Sequence, residues 1–156
     1  MSLTEEYNIA HSRVELKFSC QNLPDLDYLS KTDAQIFLEL YNTKTKSWVA
    51  HPWRSDVVVN SLNPKFVKGF ETDYFFEELQ RLKFIVVDVD KPKQPEWKAQ
   101  EFVGTFECDL GTIVGSPGGK LVGKLKDPNH PNKDRGKIII TAEELIENKT
   151  EARHGF

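Results

Sequence analysis

Apolar and polar side chains alternate over residues 13–20, with Val14, Leu16, Phe18 and Cys20 on one side and Glu15, Lys17 and Ser19 on the other. A period of two is that of a half-buried strand. Residues 35–41 repeat the pattern, with Ile36, Leu38 and Leu40 on one face, and the basic stretch 42–47 then forms a hairpin loop. Residues 48–53 and 55–60 predict one long strand or two short ones, with Pro52 confining part of this segment to an edge or a bulge. The Asn63-Pro64 turn precedes a further β-rich run, 66–75, and an apolar strand at 82–87. Residues 102–110 alternate imperfectly, with Gly104 at an expected bulge. Residues 111–116 predict a helical turn, and 120–125 and 137–141 the last two strands. About eight short strands with little helix specify an all-β, eight-stranded antiparallel β-sandwich.

The ends are less patterned. Residues 1–12 show no periodicity and are expected to be a lead-in to a single domain at 13–146. Thr141 and Glu144 match a capping box ahead of L-I-E-N-K, so the tail is expected to be helical or disordered, with 147–156 a tail or linker.

Composition narrows the function. With 156 residues there is room for one domain with a real core. A net charge of −3 gives no support to nucleic-acid binding. An acidic N-terminus and the lack of a membrane-length apolar run predict a cytoplasmic chain. Cys20 and Cys108 lie in phase with apolar neighbours, as buried small residues in a reducing compartment. The sequon at Asn148 is then a chance match.

Carboxylates concentrate in two loops. Asp88 and Asp90 stand two apart at the end of an apolar strand and therefore point to one side of the sheet. Glu101 closes the same loop, and Asp27 and Asp33 lie in the loop after the first strand. Carboxylates held this close repel one another unless a proton or cation intervenes. Calcium takes six to eight hard oxygen ligands in flexible geometry and suits this set better than magnesium. An EF-hand is excluded by spacing: counting from Asp88, Lys93 and Ala99 fall where glycine and glutamate are required. Zinc lacks His or Cys ligands at suitable spacing. A solvated loop acid is the alternative for any one of these residues, and Asp25, beside Pro24, is assigned to it. No spacing suggests a nucleophile and base, so the chain is not expected to be an enzyme.

Taken together, N-L-P-D-L-D-Y-L-S-K-T-D, S-L-N-P-K-F and V-V-D-V-D…E-F-V-G resemble the loops of a C2 domain, a β-sandwich that binds calcium and phospholipid at its tip. D-Y-F-F-E-E-L-Q-R-L-K-F, F-E-C-D-L-G-T-I-V and G-K-I-I-I-T-A-E-E-L are similar to the first C2 domain of copines. The resemblance implies the circularly permuted, phospholipase-like strand order. It also implies metal ligation by Asp27, Asp33, Asp88, Asp90 and Glu101. Glu101 stands where the family has aspartate, and Ala34 where it commonly has proline.

The implied function is a calcium-dependent module that recruits a monomeric cytoplasmic protein to anionic phospholipid membranes when calcium rises. Calcium would neutralise the acids and let Lys31, Lys91, Lys93 and Lys98 face the leaflet, with Trp97 as an interfacial anchor. Packing of Trp97 against the prolines of its own loop is the alternative. The two departures from the family pattern motivate a second reading, a protein-protein interaction domain with weak or no calcium binding. Trp48 and Trp53 are expected in the core or on a sheet face. Lys65 and Lys68 are too few for a second basic lipid site.

Overall fold

The computed structural model describes residues 11–26 and 30–145. Its strands are β1 (His11–Gln21), β2 (Ala34–Asn42), β3 (Ser47–Arg54), β4 (Phe70–Phe75), β5 (Arg81–Asp88), β6 (Glu101–Asp109), β7 (Lys120–Lys124) and β8 (Lys137–Glu144). They form two antiparallel four-stranded sheets, ordered β4-β1-β8-β7 and β3-β2-β5-β6. The first acid-bearing loop follows β1, the first strand among the described residues, and β8 returns beside β1 in the middle of a sheet, in keeping with the permuted order. A single helical turn, α1 (Leu110–Val114), follows β6 at the end opposite the acid loops.

The core follows from the alternation. Val14, Leu16, Phe18 and Cys20 are buried between the sheets, where they meet Ile36, Leu38, Phe84, Val86, Ile138 and Ile140. β5 is apolar on both sides. Phe84 and Val86 face the main core, while Ile85 and Val87 form a second cluster with Phe37 on the outer face. That outer face must also be shielded from water, and Val89, Trp97 and Phe102 cover it. The long acidic loop is therefore folded back onto its own sheet. β6 carries its bulge at Val103, because Val86 lies opposite Gly104 and Val87 opposite Phe102.

Three expectations change. Residues 55–60 are not a strand beyond the isolated Ala34–Val58 bridge. Ser55 Oγ accepts the Ile36 N–H at 2.8 Å and donates to the Asp56 carbonyl, so a side chain replaces the ladder. Residues 66–69 are likewise loop, since the Asp56 carboxylate accepts the N–H groups of Val67 and Lys68. Thr141 to Glu144 extend β8 rather than capping a helix, with Ala142 opposite Leu16 and Thr141 opposite Lys17. Residues 146–156, and most of the lead-in, lie outside the described residues.

Candidate metal and membrane site

Sheet register assembles the site. Asp88 ends β5 and is fully buried, with Ala34 opposite it on β2 and Glu101 opposite it on β6. Asp90 follows two residues later. One carboxylate oxygen from each of Asp88, Asp90 and Glu101 lies within 4.8 Å of the others. Two oxygens ligating one calcium ion at about 2.4 Å can stand at most about 4.8 Å apart. The three acids, all hard oxygen donors, thus fit a shared calcium ion, to which each offers one carboxylate oxygen.

The first loop is joined to this cluster through its backbone. The Asp33 N–H donates to Asp88 Oδ1 at 2.9 Å, and the Asp33 carbonyl accepts the Val89 N–H at 2.9 Å. The Asp33 carboxylate is used elsewhere: its Oδ1 accepts the Asn60 N–H at 2.7 Å. Asp33 is therefore one step out from the three-acid cluster, where the first acid loop meets the connection between β3 and β4. Asp27 lies outside the described residues. Asp25 is exposed, as expected.

Two residues that the sequence did not single out hold these loops. Asn60 sits at φ 55°, accepts the Lys31 N–H on its side-chain oxygen, and donates its own N–H to Asp33. Asparagine tolerates this left-handed backbone better than most residues. Gln100 is buried, and its Oε1 accepts the N–H groups of Asp90 and Lys91 at 2.9 and 2.8 Å. Its Nε2 donates to the carbonyls of Lys91 and Gln94. A lone glutamine in a polar loop carries no sequence signal. The Asn-x-x-Asn-Pro turn gives only a weak one.

The Trp97 side chain is partly buried and turned back onto its own sheet. Its ring packs on Phe102 at a centroid distance of 6.1 Å, and Nε1 donates to Glu39 at 3.3 Å. Tryptophan with its ring on an apolar surface and its N–H satisfied is in its ordinary packed state. The packing alternative is the arrangement observed, against the sheet face rather than the prolines. Arg54 fixes the loop's far side by donating to the Pro95 carbonyl at 3.0 Å. Lys31, Lys91, Lys93 and Lys98 are all exposed, and Lys98 lies over the Trp97 ring at 5.7 Å. Trp48 lies on the sheet face under Lys83, and Trp53 packs against Phe18 and Phe70.

Both cysteines are buried and free. Burial pushes each thiol up to about 12, in line with their expected role as small apolar residues. No helix among the described residues is long and apolar enough to cross a membrane.

Solved structures with this fold include a C2 domain of plant Extended Synaptotagmin 1, at TM-score 0.62 and 19% identity over 87% of this chain and 97% of that one. A calcium-bound pair of C2 domains from Extended-Synaptotagmin 2 matches at TM-score 0.60 and 18% identity, over 91% of this chain and 49% of that one. Human GIVD cytosolic phospholipase A2 matches at TM-score 0.57 and 14% identity, over 88% of this chain but 17% of its own. Likeness at these identities concerns the fold alone. Among curated proteins, Copine-B of Dictyostelium discoideum is 34% identical over 148 residues, 93% of this chain and 27% of its own length. Copine-E of the same organism is 37% identical over 87% of this chain and 23% of its own, and Protein BONZAI 2 of Arabidopsis thaliana 35% over 92% and 26%. The chain spans about a quarter of the length of these relatives. The family model described as C2 domain matches residues 13–125. With its eight-stranded sandwich and its acids gathered at one end, the chain belongs to the C2 domain family and is similar to the C2 domains of copines.

Proposed function

We propose that this domain is a calcium-dependent module for anionic phospholipid membranes, moving a cytoplasmic protein to the leaflet when calcium rises. One observation carries the reading: Asp88, Asp90 and Glu101 converge within 4.8 Å where β5 meets β6, on and between loops that also carry exposed lysines. Asp88, Asp90 and Glu101 would hold the ion, with Asp33 and Asp27 as first-loop ligands. Calcium, when bound, supplies the positive charge that the cluster needs to face a phosphate-rich surface. Without it, the three carboxylates repel an anionic leaflet. Lys31, Lys91, Lys93 and Lys98 then contribute about 1 kcal/mol each near such a surface. Trp97 supports the loop from behind, holding these lysines on a fixed base.

A protein-interaction domain that binds calcium weakly is the second reading, favoured by Glu101 and by the engagement of Asp33 with Asn60. The other departure is accommodated, because the Ala34 N–H donates to Val58 at 3.0 Å, a bond proline could not make. Nothing in either reading calls for catalysis. Co-sedimentation with phosphatidylserine vesicles decides between them. The first reading expects binding in calcium and none in chelator, and equal binding in both conditions would overturn it.

A further inference from the structure

The loop at 76–80, between β4 and β5, stands at the end of the sandwich opposite the acid cluster, because β5 runs from Arg81 to Asp88. At about 3.3 Å per residue, that strand sets the two ends roughly 23 Å apart. The loop exposes two large apolar side chains, Phe76 at 56% and Leu79 at 63%. Its backbone is nevertheless held in place. Gln80 Oε1 accepts the Phe75 N–H at 3.0 Å, and Gln80 Nε2 donates to the Asp73 carbonyl at 2.9 Å. The Gln80 carbonyl accepts the Leu110 N–H at 2.8 Å, which fastens the loop to the start of α1. The Phe76 ring meets Tyr74 edge to face at a centroid distance of 5.2 Å.

A pocket of about 170 Å³ opens beside Leu79, lined by Leu40, Tyr41, Phe70, Leu82 and Leu110. Pockets for small molecules run from about 300 Å³ upward, so this one suits a single apolar side chain. Arg81 at its rim is already paired with Asp109 at 3.0 Å and Glu107 at 3.8 Å. Glu77 and Glu78, exposed between the two apolar side chains, have no ion pair or side-chain hydrogen bond among the described residues. Residues 69–80 as a whole carry four acids and no base. Single exposed apolar side chains are ordinary on a protein surface, whereas a fixed pair beside an apolar pocket marks a place of contact.

We infer that Phe76, Leu79 and this pocket form a docking surface for a basic amphipathic helix of a protein partner. An apolar stripe at i, i+3 and i+4 spacing lies on the two exposed side chains and sends one of its own into the pocket. Lys or Arg flanking that stripe pairs with Glu77 and Glu78, and complementary charge of this kind selects the partner and speeds encounter. A second copy of the chain fits poorly, because a two-fold contact through this patch sets Glu77 and Glu78 against their own counterparts. An anionic leaflet is disfavoured by the same two charges. The surface rests on neither reading of the acid cluster. From the far end of the sandwich, it can hold a partner while the acid loops face a membrane.

The test is calorimetric titration of the full chain with a synthetic amphipathic helical peptide of Leu and Lys, beside a scrambled peptide of the same composition. The patterned peptide should bind about tenfold or more tightly than the scrambled one, which cannot present both anchors together. Phe76→Ser/Leu79→Ser should weaken its binding about tenfold or more. The melting temperature of that variant should be little altered, since both side chains are exposed. Glu77→Gln/Glu78→Gln should weaken binding about fivefold and flatten its dependence on salt. Asp88→Asn/Asp90→Asn should leave it intact, which separates this surface from the acid cluster. No binding, equal binding of the scrambled peptide, or binding unaltered in the Phe76 and Leu79 variant would overturn the inference. So would sedimentation showing a dimer that this variant abolishes, because a second copy would then be the occupant.

Discussion

The side-chain amide of Gln100 holds the backbone of Lys91 on both sides, with Oε1 accepting its N–H at 2.8 Å and Nε2 donating to its carbonyl at 2.8 Å. The same oxygen accepts the Asp90 N–H. One buried residue thereby sets the position of an acid in the cluster and of a lysine beside it. Gln100 also immediately precedes Glu101, so the brace is anchored where β6 begins. The loop at 89–100, between β5 and β6, is a folded structure attached to its sheet by Gln100, Trp97 and Arg54.

Gln100→Ala should therefore affect both stability and metal binding. Deleting a buried amide leaves several backbone groups without partners, at about 1–3 kcal/mol. Calcium affinity should fall about tenfold or more, the usual effect of losing a group that orients ligands. Urea unfolding measures the first and calcium titration the second. A variant with unaltered calcium affinity would show that the loop keeps its form by other means.

Asp90→Asn separates repulsion from ligation. Removing the exposed member of three clustered carboxylates should raise the melting temperature in chelator, since even in water a like charge at this spacing costs about 1 kcal/mol, and Asp88 beside it is buried. The same change should diminish the rise on adding calcium, and Asp88→Asn/Asp90→Asn should abolish it. Thermal shift with and without calcium reads both signs in one plate.

Trp97→Ala should behave as a packing variant. A half-buried ring on Phe102 is lost and the outer face of Ile85 and Val87 is uncovered, at about 2 kcal/mol. Vesicle binding in calcium, measured well below the melting temperature, should persist because exposed lysines carry it. Loss of binding with unaltered stability would instead make Trp97 an interfacial anchor.

Acid should weaken the loop at 125–136, between β7 and β8, through Asp127. The His130 hydrogen bond first, and then the Asn129 N–H and the charges of His130 and Arg135, hold its carboxyl below the ordinary 3.8 despite burial. A carboxyl depressed in the folded state adds stability that is fully present above the ordinary carboxylate range and is lost as pH falls through the folded value. Asp127→Asn should accordingly cost stability near neutral pH and flatten its decline below about pH 4. Urea midpoints across that range give the comparison.

Cys20 and Cys108 should be inert to a thiol reagent at pH 8 in the folded protein and react fully in urea, because burial holds both near 12. Rapid labelling of the native state would indicate local opening of β1 or β6.

Alternation alone was enough to place most strands, because a half-buried strand writes its two faces into the chain every second residue. Leu16, Phe18, Ile36 and Ile138 are buried where that period puts them. The acid pair on one strand end was legible for the same reason, since Asp88 and Asp90 share a side by construction. Tertiary structure decided what such local periodicity does not encode: which strand ends lie side by side, and what covers a second apolar face. Register put Glu101 opposite Asp88 and turned the Asp33 carboxylate to Asn60. The outer face of β5 drew Trp97 inward. Pairing of β8 with β7 set Lys137 against Lys124, and its pairing with β1 brought the loop at 125–136 to the end that carries the acids. Each of these depends on contacts between residues distant in sequence, whose energies arise only once the sheets are paired and packed.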